Sequence, residues 1–309
     1  MINNLLIFIA ALFAVMKGAT MATNYASSLA RSFRISRYAI GFIVISIISI
    51  LPETLISLNA AIKGIPSFGL GMLFGSNIAD LTLVFAAVVL FSGRSLKIEA
   101  KIIKNHVVYP LILILPLILG LNGHFSRLEG LALILVGFIF YYLILKNSAD
   151  GTPAPVARWK LAKDVLLLLG SLAIMLIGGY FVVSAAAALA GYLGVSPILI
   201  GMLVVGLGTT IPELFFSLKS VKAKDDSLAV GDLLGTVLAD ATIVLGLLAA
   251  FSPFYFPVRI IYVTGVFMVV SSFMLFRFMR SGHTLTRRET GMLLAFWVFF
   301  VLIELLFNT

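Results

Sequence analysis

One stretch of the chain occurs twice. Residues 36 to 92 align without a gap on residues 196 to 252, at an offset of 160 residues. Eighteen of the 57 positions are identical, among them Pro52/Pro212, Glu53/Glu213, Gly71/Gly231, Gly75/Gly235 and Asp80/Asp240. Any fold for this chain must therefore hold two near-equivalent units, each carrying a glutamate and an aspartate. Both copies are strongly apolar, which puts the acids inside membrane-spanning segments. Intramembrane carboxylates are costly, and a duplicated set of them reads as a symmetric cation site of the kind transporters use.

The rest of the chain fits that setting. It is 61% hydrophobic and 11% charged, against about a quarter charged for a soluble domain. Apolar runs of about 20 residues read as transmembrane helices, whereas a lipid-facing barrel would show short alternating segments. The absence of cysteine excludes disulfides, iron–sulfur clusters and thiolate metal sites. His106, His124 and His283 are scattered and form no ligand cluster. The first 22 residues superficially resemble a signal peptide but lack its basic start. Residues 21–30 also align on 181–190 at the same offset, so the segment is read as a retained first span.

The expected fold is an all-α integral membrane protein with ten spans near 3–30, 38–63, 68–92, 105–121, 128–145, 162–190, 196–220, 227–252, 257–277 and 289–307. The polar linker at 147–160 divides the chain into a first five-helix repeat, 1–153, and a second, 154–309. Of the 22 Lys and Arg residues, 18 fall in the loops after spans 1, 3, 5, 7 and 9; Lys63, Arg127 and Arg259 lie on the other side and Lys17 within span 1. The positive-inside rule then places the chain in the cell membrane with both termini outside. That topology accounts for the net charge of +9 without nucleic acid as a partner; the partner is the lipid bilayer. Five spans per repeat is an odd number, so the second copy enters from the opposite face. Inverted repeats of this type place their site near the midplane and suit alternating access.

Within each repeat, proline precedes the glutamate in mid-span. Pro52 and Pro212 donate no hydrogen bond to the carbonyls of Ile48 and Gly208, which predicts a kink with backbone oxygens bared beside Glu53 and Glu213. Carboxylates plus free carbonyls are the oxygen ligands of a hard cation such as calcium or sodium. On the next span, Ser76 and Asp80 lie four residues apart, as do Thr236 and Asp240, so each pair shares a helix face. Gly71, Gly75, Gly231 and Gly235 have small-residue spacing for close helix packing. Ser49, Thr209 and Thr210 precede the glutamates by one turn. Their hydroxyls are read either as ligands or as bonded back to their own helix. Lys17 is read as snorkelling or pairing with an acid, and Asp164 and Glu304 as interfacial.

These motifs resemble the calcium/cation antiporter superfamily, specifically its sodium/calcium exchanger branch. GTTIPEL at 208–214 is similar to the family's G-T-S-x-P-E, and GSNIAD at 75–80 with GTVLAD at 235–240 to its G-S-N-I-x-N/D. The resemblance implies calcium held by Glu53 and Glu213 with carbonyls near Ser49 and Thr209. Coupling-ion ligands would come from Ser76, Thr236, Asp80, Asp240, Thr210 and carbonyls near Ser46 and Gly206. It implies no enzyme activity and no cofactor. The basic loops are too short for the regulatory domain of animal exchangers.

The departures from that pattern bear on coupling. Ile48 replaces a glycine, and Ile50 stands where the family carries a coordinating serine. Asp80 replaces an asparagine and gives four acids in one cavity, while Asp232 replaces another asparagine two turns before Asp240. Four ionised carboxylates and one divalent cation leave a charge of −2 where unpaired charge is expensive. Some of these acids should then be protonated in at least one transport state, which makes the proton a rival to sodium. Exchange of magnesium or manganese on the same scaffold is an alternative. Remoter ones are a passive channel and an intramembrane aspartyl protease, whose Tyr-Asp and Gly-x-Gly-Asp signatures are absent.

Overall fold

The computed structural model describes residues 2–30, 37–99, 107–146 and 158–308. Among them are ten apolar helical segments: α1 (Ile2–Ala30), α2 (Ile40–Ile62), α3 (Pro66–Ser92), α4 (Val108–Leu119), α5 (Arg127–Lys146), α6 (Arg158–Leu193), α7 (Pro197–Lys222), α8 (Asp226–Phe251), α9 (Ile261–Arg280) and α10 (Arg287–Asn308). Eight of these are long and apolar enough to cross a membrane by themselves; the apolar parts of α1 and α4 are shorter. The expected spans match these helices closely. The start of the fourth and the division at residue 153 lie outside the described residues.

The helix boundaries follow local chemistry. Pro66 and Pro197 occupy first-turn positions, where a missing N–H costs nothing. A capping box opens α5, with Ser126 N–H donating to Glu129 Oε2 at 2.7 Å and Glu129 N–H to Ser126 Oγ at 3.3 Å. The same box recurs 160 residues later at Thr286 and Glu289, with distances of 2.8 and 3.4 Å. The duplication thus reaches the fifth span of each half.

Four helices form the interior. α2 packs on α8 and, at the repeat-related crossing, α7 packs on α3, so both crossings join one repeat to the other; within each repeat α2 also packs on α3 and α7 on α8. Both crossings depend on glycine. A Cβ on Gly41 would meet the Leu228 carbonyl oxygen, and one on Gly231 the Tyr38 carbonyl oxygen; at the equivalent crossing, a Cβ on Gly71 would come within 2.7 Å of the Ile198 carbonyl oxygen and one on Gly201 within 2.7 Å of that of Phe68. Backbone against backbone leaves no room for a methyl group. The packing role read for Gly71, Gly75, Gly231 and Gly235 holds, and Gly41 and Gly201 are their partners.

Around this core, α5 packs on α8 and α10 on α3, while α1 and α6 lie against one another. Two short antiparallel pairs join the loops: β1 (Leu96–Lys97) with β4 (Thr284–Leu285), and β2 (His124–Phe125) with β3 (Phe254–Tyr255). Each pair links one repeat to the other. The β1–β4 pair lies at the face with the basic loops, where Arg94 donates to both oxygens of Asp226, at 2.7 and 2.5 Å, and to the Val221 carbonyl at 2.6 Å.

Candidate functional site

The prolines behave differently in the two halves. In α2 the helix breaks at Ile50 and restarts at Leu51, with Pro52 in the first turn of the new segment. In α7 the helix runs from Gly206 to Lys222 straight through Pro212. The predicted kink is therefore a break in the first repeat, while the second repeat keeps a continuous helix at this point. On the partner helices the two halves agree. Both α3 and α8 widen into a π turn, over Asp80–Val84 and Asp240–Val244, each beginning at its aspartate. Two more π turns, Ile40–Ile45 and Gly201–Val205, precede the Pro-Glu segments. Such turns rearrange the backbone hydrogen-bond ladder and concentrate at functional sites. Nothing in the apolar residue pattern announces them.

All nine predicted site residues are buried. None of Ser49, Glu53, Ser76, Asp80, Thr209, Thr210, Glu213, Thr236 and Asp240 exceeds 5% exposure. They lie on the four central helices, and Glu213 is within electrostatic reach of Glu53, Asp80, Asp232 and Asp240. Both oxygens of Asp80, Glu213 and Asp240 lack a hydrogen-bond donor, as do Glu53 Oε2 and Thr236 Oγ1. Buried acceptors are ordinarily satisfied, so seven orphaned carboxylate oxygens in one interior call for an electropositive partner. Among the described residues no three His, Asp or Glu side chains converge tightly enough to chelate a metal unaided. A cation here would take carbonyl and hydroxyl oxygens as well, as hard cations do.

The hydroxyls divide into two kinds. Ser76 donates to the Leu73 carbonyl at 3.1 Å, Thr209 to Gly206 at 3.0 Å and Thr210 to Leu207 at 2.9 Å. These point back along their own helices and keep lone pairs free. Ser49 instead reaches across to α8 and donates to Asp232 Oδ1 at 3.0 Å. Asp232 is thus part of the same interior, although its place there rests on tertiary packing that sequence spacing alone does not give.

Two tyrosines brace this region from outside the repeat motif. Tyr109 on α4 donates to the Leu234 carbonyl at 2.6 Å, and Tyr141 on α5 to the Gly235 carbonyl at 2.9 Å. Ser46, read as a source of carbonyl oxygen, bonds through its hydroxyl to the Phe42 carbonyl and lies 2.9 Å from Tyr141 Oη. The sequence signal for the tyrosines is a phenol in an apolar span, where its hydroxyl needs a partner. Outside the site, the interfacial reading of Glu304 is corrected. It is 1% exposed and accepts from Thr264 at 2.5 Å, because α9 offers that hydroxyl inside the bundle. Asp164 is also buried, and Lys17 is exposed on α1.

Comparison with known proteins agrees with this geometry. The sequence profile of the sodium/calcium exchanger protein family matches residues 3–146 and again 163–306. The chain is 30% identical over 245 residues to a putative antiporter, CaxA, of Alkalimonas amylolytica, covering 74% of each protein. It is 25% identical to the sodium/calcium exchanger MaX1 of Methanosarcina acetivorans, over 97% of this chain and 98% of that one. A solved structure of the sodium-calcium exchanger NCX_Mj, soaked with sodium and strontium, superposes with a TM-score of 0.73 at 25% identity, covering 96% of this chain and 97% of the other. The fold is accordingly the ten-helix inverted repeat of these exchangers, and the chain belongs to the sodium/calcium exchanger family.

Proposed function

We propose that the chain is a secondary active antiporter of the cell membrane that exchanges calcium for sodium or protons by alternating access. Glu53 and Glu213 hold the calcium, one from each repeat, with backbone oxygens near Ser49 and Thr209. Asp80, Asp240, Ser76, Thr236 and Thr210 complete the oxygen set for the coupling ion. Residues 1–153 and 154–309 form the two inverted repeats, and both termini face outward. The observation that carries this reading is the set of repeat-related carboxylates buried without donors on the central helices. The kinship with MaX1 and NCX_Mj, both named as sodium/calcium exchangers, points the same way.

Proton coupling is the second reading, and two residues favour it. Asp80 supplies a titratable group where an asparagine would not, and Ile50 removes a hydroxyl from the turn before Glu53. Calcium flux into proteoliposomes separates the possibilities. Uptake driven by an imposed sodium gradient supports sodium exchange, and uptake driven by a proton gradient alone supports the second reading. Flux that needs neither gradient would mark a passive pathway and sink both.

A further inference from the structure

On the four central helices, the ligand set proposed above leaves one fully buried carboxylate without a task. Asp232 lies one turn before Thr236 and two before Asp240, on the same face of α8. It has 0% exposure; Oδ1 accepts from Ser49 at 3.0 Å and Oδ2 has no donor. No Lys, Arg or His pairs with it among the described residues; the nearest cation–carboxylate pair along α8 is Arg94 with Asp226. One neutral hydroxyl is a thin complement for a charge this deep.

Its depth is informative. α8 begins at Asp226, which Arg94 holds at the basic face. Six residues of helix put Asp232 about 9 Å further in, and fourteen put Asp240 about 21 Å in. Asp232 therefore lies between that face and the central carboxylates. On the route to the opposite face, the repeat offset puts Met72 at the equivalent position, fully buried. Thr209, the equivalent of Ser49, donates back to Gly206 and has only Glu53 of the central set beside it, with no acid at position 72 to match Asp232. In these two residues the inverted repeat is polar towards one face and apolar towards the other.

We infer that Asp232, with the hydroxyls of Ser49 and Thr236, forms a second cation subsite, which the transported ion occupies between the basic face and the central carboxylates. Its donors are all oxygen, so it takes a hard cation. The Asp232 charge is within electrostatic reach of Asp80 and Glu213, which couples an ion there to the central set. This inference rests on the exchange reading. A purely structural Ser49–Asp232 strut predicts no ion effect from an isosteric amide, which still accepts from Ser49.

The test is calcium flux through the full chain in right-side-out and inside-out vesicles, giving the half-saturating calcium at each face. Asp232→Asn should raise that value about tenfold at the basic face and change it less than about twofold at the other. Ser49→Ala should shift the same face, by about threefold, and serves if Asp232→Asn does not fold. Equal shifts at both faces, or none, overturn the subsite while leaving exchange intact. Wild-type vesicles that carry no calcium would instead bring down the exchange reading and the subsite with it.

Discussion

Arg94 grips Asp226 through both terminal nitrogens, joining the loop after the third helix to the first turn of the eighth. The Lys97 backbone N–H adds a third bond to the same carboxylate, at 2.8 Å. The hydrogen bonds to Asp226 raise the Arg94 guanidinium above its already high range. A raised folded-state value means stability that is complete below the unfolded value and lost only in strongly alkaline solution. Arg94→Gln should therefore lower the melting temperature of the purified protein by about 2–5 °C. That deficit should stay constant between about pH 6 and pH 9. A deficit that disappears within this range would show that another group governs the face.

Glu53→Gln and Glu213→Gln should each abolish divalent transport while leaving the protein folded. Each removes one charge from the proposed calcium ligands and keeps the side-chain volume. Near-normal calcium flux in both variants, measured in proteoliposomes, would sink the assignment.

Gly41→Ala or Gly231→Ala should separate α2 from α8, because the added Cβ meets backbone carbonyl oxygen that cannot rotate away. The cost is about 1–3 kcal/mol, visible as a drop in melting temperature or yield. Gly170→Ala, whose added Cβ would meet no neighbouring element within 4 Å, is the control and should be neutral or slightly stabilising.

Orientation is open to a direct test because the chain has no cysteine. Cysteines placed at Asn3 and Thr309 should react with an impermeant reagent from outside the cell, and one at Gly151 only from inside. Outside labelling at Gly151 would overturn the topology.

For the coupling ion, Asp80→Asn should flatten the pH dependence of calcium flux. Adding Ile50→Ser should strengthen its sodium dependence by returning a hydroxyl oxygen. Wild-type uptake that saturates with sodium and ignores pH would rule out the proton.

Much of this fold was legible in the residues, for physical reasons that also set the limit. Span number follows from hydropathy, and inversion from an odd number of spans in each copy. The gapless 160-residue offset identified Glu53, Glu213, Asp80 and Asp240, all of which lie buried on the central helices. Local pattern does not encode cross-helix partners. Spacing places Ser49 as a ligand or a back-bonded hydroxyl, and its donation to Asp232 depends on how α2 crosses α8. The π turns escaped for a similar reason, since they leave the apolar sequence unchanged. Equal prolines gave unequal helices, a break at Ile50 and continuity through Pro212, for which identity at the proline offers no distinction.

The interlocking of the two repeats has a consequence for biogenesis. α2 rests on α8, α3 on α7, and both β clips tie one repeat to the other. When the ribosome has delivered the first five spans, Glu53 and Asp80 are already in the bilayer, but the helices that enclose them are still unmade. The newborn first half must wait with its acids protonated, hydrated or held by the insertion machinery until residue 251 has emerged. Assembly of this protein is therefore a race between translation and the exposure of charge to lipid.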